Sequence, residues 1–237
     1  MRPLAVDLFC GLGGWSDGLL AAGYDVVGFD IECHEYGEHR YPAQLVIQDV
    51  LTLHGSQFRD ATLIVASPPC QAYSYRAMPW SRAKALSPPD NTLFEACFRI
   101  QREACEAAGR HIPLIVENVR GAQKWVGRAR WCHGSFALWG DVPALMPIRL
   151  RGQSNKIPPE VNEMIRQGRS PNRRTNSAEY GIKNGGDWFS SGNNCSLQRR
   201  FGSKSIGRKA ASALIAKIPL PLSTHIARTF LPQAVAA

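Results

Sequence analysis

The sequence predicts an α/β fold with a doubly wound, mostly parallel sheet, and three observations carry that expectation. Short apolar runs at Leu4–Phe9, Leu63–Ala66 and Ile112–Val116 are bordered by turn residues, which is how strands buried in a parallel sheet read. Helical stretches lie between them, over Gly14–Ala22 and Thr92–Ala108. Each apolar run leads into residues that carry chemistry: Cys10-Gly-Leu-Gly-Gly14, Ser67-Pro-Pro-Cys-Gln71 and Glu117-Asn-Val119. In an open α/β sheet all three would meet at one edge.

Taken in order, the Leu4–Phe9 strand feeds the glycine turn and a helix over Gly14–Ala22 that Gly23 closes. A second strand over Tyr24–Phe29 ends at Asp30, a third over Ala43–Gln48 ends at Asp49, and a fourth over Leu63–Ala66 delivers Cys70. Residues 71–91, rich in Pro, Ser, Tyr, Trp and Arg and without a period, read as a long functional loop. Thr92-Leu-Phe-Glu95 has the capping-box pattern of a helix start, with Gly109 as the stop. The tail, Ala210–Phe230, regains apolar periodicity around Ile218–Leu222 and is expected to pack back on the first domain. The expected division is 1–148 as the catalytic and ligand-binding domain, 149–209 as a small irregular basic region, and 210–237 as the returning segment.

A chain of 237 residues can bury one α/β core with a small appendage. It has neither a run of about 18 apolar residues nor a basic and then apolar start, so a membrane span and a secretory signal are not expected and the cytoplasm is. Seven cysteines, an odd number without a Cys-x-x-Cys pair, suit a reducing compartment. Cys33-His34 and Cys132-His133 lack a matching second pair, so no metal is expected.

The net charge of +9 is concentrated. Residues 149–209 hold 13 Lys and Arg against 4 Asp and Glu, and the rest of the chain balances at 15 against 15. Tyr180, Trp188, Phe189 and Phe201 are interspersed among those cations. Cations neutralise phosphates and rings stack on bases, so the segment suits nucleic acid, with Arg173, Arg174, Arg199 and Arg200 as contacts. A solvated linker is the bland alternative, and the four aromatics weigh against it.

The strand–glycine–helix unit lets a backbone approach a ligand and offer it free N–H groups. Gly11-Leu-Gly13-Gly14 lacks the Gly-x-Gly-x-x-Gly spacing of a pyrophosphate site, while Asp30, about 20 residues on, is placed to accept ribose hydroxyls. Asp49 is placed to receive an adenine amino group. An adenosine ligand without pyrophosphate fits S-adenosyl-L-methionine better than a dinucleotide; a purely structural glycine turn is the alternative. The expected cofactor residues are Asp7, Phe9, Gly11, Gly13, Gly14, Asp30, Ile31, Asp49, Val50 and Pro69.

At these residues the chain resembles a known family. Asp7-Leu-Phe-Cys-Gly-Leu-Gly-Gly14, Pro68-Pro-Cys-Gln71 and Glu117-Asn-Val119 are similar, in order and spacing, to the signature motifs of the DNA cytosine-5 methyltransferases. The likeness covers residues 1 to about 147 well and the last 30 loosely. It implies a Rossmann-like methyltransferase sheet, S-adenosyl-L-methionine as methyl donor, and DNA as partner, with the basic segment standing where that family keeps its target-recognition region. A monomer is expected.

The resemblance further implies that Cys70 attacks C6 of a flipped-out cytosine while Glu117, with Asn118 beside it, acts at N3. An arginine downstream binds the cytosine O2, for which Arg128 is the first choice and Arg130 the second. The loop after Cys70, with Gln71, Ser74, Arg76 and Arg82, is placed to contact the nucleic acid. Ser67-Pro-Pro69 also resembles the amino-methyltransferases, but Cys70 stands where they carry an aromatic ring. RNA is an alternative substrate on the same scaffold.

Two departures from the family are visible. The basic region is short for target recognition. Ile215-Ala-Lys217-Ile-Pro219 stands where the family has Gly-Asn and a small residue, which brings Lys217 toward the methionine end of the cofactor. Its charge suits either the ordinary carboxylate or an extra one, as in carboxy-S-adenosyl-L-methionine, which would make the product 5-carboxymethylcytosine.

Overall fold

The computed structural model describes residues 2–74, 87–133, 136–146, 209–210, 213–214 and 216–232. Its strands form one mixed sheet from β1 (Leu4–Leu8), β2 (Asp25–Asp30), β3 (Gln44–Ile47), β4 (Ala61–Ala66), β5 (Leu114–Val119), β6 (Trp131–His133) and β7 (Phe136–Gly140). The order is β3-β2-β1-β4-β5-β7-β6. The first five strands are parallel, and β7 is antiparallel to both β5 and β6. Chain order reverses at β1, and a doubly wound sheet opens a crevice at such a switch point, outside the strands' carboxyl ends.

Alternation along the strands explains why helices cover both faces. Val6, Leu8, Ile64, Ala66, Leu114 and Val116 pack in one cluster with Phe94, Cys97, Ile100 and Ala104 of α2 (Thr92–Ala108). Ala5, Leu63, Val65 and Ile115 pack in a second cluster. There they meet Trp15 and Leu19 of α1 (Gly14–Ala21) and Leu222 and Ile226 of the C-terminal helix. A short helix, α3 (Gln123–Val126), follows β5, and α4 (Leu220–Thr229) is the helix that lies against α1. The returning segment thus buries Ile218, Leu222, Ile226 and Ala227 in the second cluster, with the Tyr24 hydroxyl donating to the Ala227 carbonyl at 3.1 Å.

Several local expectations differ from the structure. The Thr92–Glu95 capping box does not form: Thr92 is already the first helical residue, and the Asp90 carboxylate accepts its N–H at 2.8 Å instead. An aspartate two residues ahead supplies the acceptor sooner than a capping Thr92 would. Strand β4 begins at Ala61 rather than Leu63, and β5 extends to Val119, so Glu117 and Asn118 belong to the strand. They face Leu138 and Ala137 across the antiparallel pairing with β7. The β6–β7 pair was hidden because its apolar stretches are only three and five residues long.

Candidate active site

The register brings the three motif-bearing strands to a common end. Leu8 pairs with Ala66, and Ala66 with Val116, so Phe9, Ser67 and Glu117 stand level at the carboxyl edge. The edge opens into a cleft of about 480 Å³ lined by the glycine turn, the ends of β2 and β3, Ser67, Pro69 and Gln71 of the turn around Cys70, and the segment before α4. That volume lies within the range of roughly 300–1,000 Å³ usual for small-ligand sites.

The glycine turn owes its shape to left-handed backbone. Gly11 has φ 51° and Gly13 φ 74°, and Phe9, a non-glycine residue, sits at φ 57°. A Cβ on Gly13 would lie 2.4 Å from Pro42 Cδ, so a side chain is barred both by strain and by space. At Gly14 the constraint is close approach, since a Cβ would lie 2.3 Å from the Ile218 backbone nitrogen. This lets the segment leading into α4 form one wall of the cleft.

Asp30 binds the turn directly. Its Oδ2 accepts the Gly11 N–H at 2.8 Å and its Oδ1 accepts the Ile31 N–H at 2.8 Å. Burial works against its charge, but hydrogen bonds from His34 and the Gly11 N–H overcome that and hold the carboxyl below its ordinary range. Ile31, 70 % exposed, lines the cleft with Val50. Asp49 also lines it, with its Oδ1 accepting the Leu51 N–H at 2.9 Å to cap a 3-10 turn.

Asp7 lies beneath the turn rather than on the cleft. It is 1 % exposed, its Oδ2 accepts the Ser16 hydroxyl at 2.6 Å, and Ser16 in turn shares a hydrogen bond of 2.7 Å with the Tyr41 hydroxyl. Burial raises the Asp7 carboxyl to about 8, against the opposing Ser16 bond. Of the expected cofactor residues, Phe9, Gly11, Gly14, Asp30, Ile31, Asp49, Val50, Pro69 and Lys217 line the cleft, and Asp7 and Gly13 support it from below.

The Cys70 turn is fixed from two sides. Asn118 Nδ2 donates to the Pro68 carbonyl at 2.9 Å, tying β5 to the two prolines. Trp15 Nε1 donates to Ser67 Oγ at 3.0 Å, tying the turn to α1. Downstream, the Tyr73 N–H donates to the Cys70 carbonyl at 3.0 Å, and the Tyr73 hydroxyl to Asn91 Oδ1 at 2.9 Å. Cys70 is half-buried, whereas Glu117 is only 2 % exposed. Gln71 is exposed on the cleft and Ser74 is half-buried.

Arg128 and Arg130 are both exposed on the run into β6, where the Arg130 N–H donates to the Leu138 carbonyl at 2.8 Å. They are absent from the described lining of the cleft. Arg76, Arg82, Arg173, Arg174, Arg199 and Arg200, and almost all of the basic 149–209 region, lie outside the described residues. Lys217 lines the cleft, and its Nζ is 2.7 Å from Asp17 Oδ2, so its charge already has a partner.

Sequence reasoning missed Trp15, Ser16, His34 and Tyr41. An indole directly after the glycine turn, and a histidine four residues past Asp30, were the available signals for two of them. Nothing local marks Tyr41, which reaches Ser16 across 25 residues. Among the described residues, no group of three or more His, Cys, Asp or Glu could hold a metal ion, and no helix is long and apolar enough to cross a membrane.

A reversed, mostly parallel sheet with a nucleoside-sized cleft over a glycine turn and an acidic β2 end defines a Rossmann-like methyltransferase class. The C-5 cytosine-specific DNA methylase family model matches residues 4–125, just over half of the chain, and the chain belongs to that family. S-adenosyl-L-methionine is the methyl donor that membership of this family implies.

The chain is 27 % identical over 132 residues to the Type II methyltransferase M.XorII of Xanthomonas oryzae pv. oryzae. The match takes in 51 % of this chain and 29 % of that relative, so the chain spans about three-tenths of the curated relative's length. Among solved structures, one described as a DNA modification methyltransferase encoded within an E. coli prophage is 26 % identical, with a TM-score of 0.38, over 53 % of this chain and 34 % of that one. The S. pombe Dnmt2 methyltransferase is 18 % identical, with a TM-score of 0.35, over 52 % and 36 %.

Proposed function

We propose that the chain is a DNA (cytosine-5)-methyltransferase that modifies a cytosine flipped out of the duplex through a transient bond between Cys70 and C6. The observation that carries this reading is the tie between β4 and β5: Asn118 holds the Pro68 carbonyl, so that the turn bearing Cys70 and the strand bearing Glu117 keep one fixed relation beside the cleft.

Cytosine C5 is a weak nucleophile, and the residues at the edge answer that problem. As the Cys70 sulfur bonds to C6, the C5=C6 π pair shifts to C4=C5, the C4=N3 π pair moves onto N3, and a proton or hydrogen bond from Glu117 takes up the charge there. The resulting enamine is nucleophilic at C5. S-adenosyl-L-methionine supplies the electrophilic sulfonium methyl when bound. A base then removes the C5 proton, the electron pair re-forms C5=C6, and the Cys70 sulfur leaves.

The residues on the cleft fit that cofactor: Asp30 as ribose acceptor, Ile31 and Val50 as apolar walls for a purine, Asp49 for its amino group, and Gly11 and Gly14 where the backbone comes close. Asn118 is a positioning residue in this reading, and Asp7 and Gly13 shape the turn from beneath. Arg128, with Arg130 second, is assigned to the cytosine O2. Gln71, Ser74 and the arginines of the 71–91 loop and the 149–209 region supply the nucleic-acid contacts, with 1–148 as catalytic domain and 210–237 as the closing segment. The protein would act as a cytoplasmic monomer.

The test is mass spectrometry of nucleosides from DNA incubated with the protein and S-adenosyl-L-methionine, beside Cys70→Ala. Cys70-dependent 5-methylcytosine is expected, as is a stable adduct on 5-fluorocytosine DNA. Parallel arms with RNA and with carboxy-S-adenosyl-L-methionine separate the alternatives. Product in only one of those arms would replace DNA methylation with RNA methylation or carboxymethylation.

A further inference from the structure

Asn91 stands at the N-cap position of α2, where an asparagine ordinarily turns its side-chain oxygen onto the first free N–H groups of the helix. Here it makes no such bond, and the Asp90 carboxylate takes the Thr92 N–H at 2.8 Å in its place. The Asn91 amide is engaged elsewhere. Its Oδ1 accepts the Tyr73 hydroxyl at 2.9 Å, and its Nδ2 donates to the Trp125 carbonyl of α3 at 3.4 Å. A carbonyl can only accept, so the amide nitrogen has to face Trp125, which leaves the oxygen for Tyr73.

Both ends of this bridge lead to residues of the proposed reaction. Tyr73 is buried in the same cluster as Phe94, Ala122 and Trp139, and its N–H closes the turn that carries the thiol by donating to the Cys70 carbonyl at 3.0 Å. Gly121 packs against it: a Cβ there would fall 2.6 Å from the Tyr73 carbonyl oxygen, so the chain leaving β5 presses on the same residue. At the other end, α3 runs through Gly127 into Arg128. The Gly127 carbonyl accepts Trp139 Nε1 at 2.9 Å, and the Ala129 N–H donates to Gln123 Oε1 at 3.2 Å, which fixes the backbone on either side of Arg128.

Resting on the cytosine-5 reading of the site, we propose that Asn91 is a positioning residue, whose amide joins Tyr73 to Trp125 and so holds the Cys70 turn and the Arg128 run in one fixed relation for attack on the base. The Asn118 tie grips the same turn separately, through Pro68. An aligned attack tolerates little displacement, and a shift near 1 Å costs up to about a hundredfold in rate. The two bonds of the amide act in series, so cutting either one does the damage of cutting both. Tyr73, Asn91 and Trp125 are all absent from the described lining of the cleft, so the affinity for an adenosyl ligand does not depend on them.

The experiment follows the covalent adduct on saturating 5-fluorocytosine DNA of mixed sequence, with S-adenosyl-L-methionine present. The proteins are the full chain, Tyr73→Phe, Asn91→Ala, Asn91→Asp and the Tyr73→Phe, Asn91→Ala pair. Calorimetry of S-adenosylhomocysteine on the same preparations reads the cleft and the fold. Tyr73→Phe keeps the ring in the core and removes only the hydroxyl. Asn91→Asp can accept from Tyr73 but cannot donate to the Trp125 carbonyl, so it tests the α3 arm by itself. Each single variant is expected to form the adduct about tenfold more slowly with unchanged ligand affinity, and the pair to be no slower than the slower single. A wild-type rate in Tyr73→Phe or in Asn91→Asp would overturn the proposal, as would losses that multiply to about a hundredfold in the pair. Rate and ligand affinity falling together would make the amide a purely structural group and overturn it equally. In each of these cases the wild-type adduct still forms, and the cytosine-5 reading stands. No adduct from the wild type would overturn that reading and the proposal with it.

Discussion

The two ends of the cleft are held in place by different physics. At the β4–β5 end, neutral hydrogen bonds do the positioning: Asn118 to the Pro68 carbonyl, Trp15 to Ser67 and Tyr73 to Asn91. At the β1–β2 end the organising groups carry or exchange protons: Asp30 on the Gly11 N–H, His34 on Asp30, and Asp7 beneath. The first arrangement fixes a geometry that pH leaves alone. The second couples stability to protonation, through the buried Asp7. Geometry at the β4–β5 end, the proposed reacting edge, and electrostatics at the β1–β2 end, the proposed nucleoside edge, are therefore separable by mutation.

The largest effect should come from the reacting edge. Cys70→Ala removes the proposed nucleophile, and product formation should fall by at least about a thousandfold. Binding of S-adenosylhomocysteine should be unchanged, since that ligand depends on the other end. A parallel loss of ligand affinity, measured by calorimetry, would show that the two ends are not independent.

Asn118→Ala tests the tie itself. It leaves a buried Pro68 carbonyl without its amide donor, at a cost of about 1–3 kcal/mol, and frees the turn that carries Cys70. Turnover should drop roughly 10- to 100-fold, because displacements near 1 Å are that costly to an aligned attack. The adduct on 5-fluorocytosine DNA should form more slowly but to the same end point. An unchanged rate would mean that Asn118 only stabilises the fold.

The same contrast explains what could be read from the sequence. The ends of β4 and β5 were legible because the runs before Cys70 and Glu117 are apolar enough to announce buried strands. The α1 and α2 helices were legible from their period and from Gly109. The β6–β7 pair was not, since Trp131–His133 and Phe136–Gly140 are too short to show alternation. Nor was the nucleoside edge in full. Asp30 was marked by its distance from the glycine turn, but the demand that Gly11, Ile31 and His34 place on its oxygens exists only once the chain is folded. Tyr41 is a further case: it sits under Gly28, where a Cβ would fall 2.3 Å from its ring, and no local pattern predicts that contact.

Beneath the nucleoside edge, Asp7 predicts a pH-dependent stability of definite sign. Burial raises its carboxyl from 3.8 to about 8 in the folded protein. The native state therefore keeps a proton that the unfolded chain gives up, and stability falls as pH rises between about 4 and 8. Asp7→Asn keeps an acceptor for Ser16 and stays neutral at every pH. Its melting temperature should match the wild type at about pH 4 and below and exceed it by roughly 4 °C or more at pH 8. Equal pH profiles for the two proteins would show that Asp7 is ionised in the fold.

The smallest effect belongs to Lys217, where the two kinds of control meet. Close packing at Gly14 fixes the backbone there, while the ammonium pairs with Asp17 at 2.7 Å. Both partners keep about a third of their side-chain exposure, so the pair is worth about 0.2–1 kcal/mol. Asp17 also offsets the repulsion that an isolated cation would exert on a sulfonium, which removes the main electrostatic reason for an extra carboxylate on the cofactor. Lys217→Ala should therefore weaken S-adenosyl-L-methionine binding only about two- to threefold, as expected for a fraction of a kcal/mol. If Lys217 instead serves a carboxylated cofactor, the substitution should cut binding of carboxy-S-adenosyl-L-methionine by more than about tenfold while sparing the ordinary one, since a charged hydrogen bond is worth roughly 1.5–3 kcal/mol. Comparing the two affinities in one variant distinguishes a wall residue from a selectivity residue.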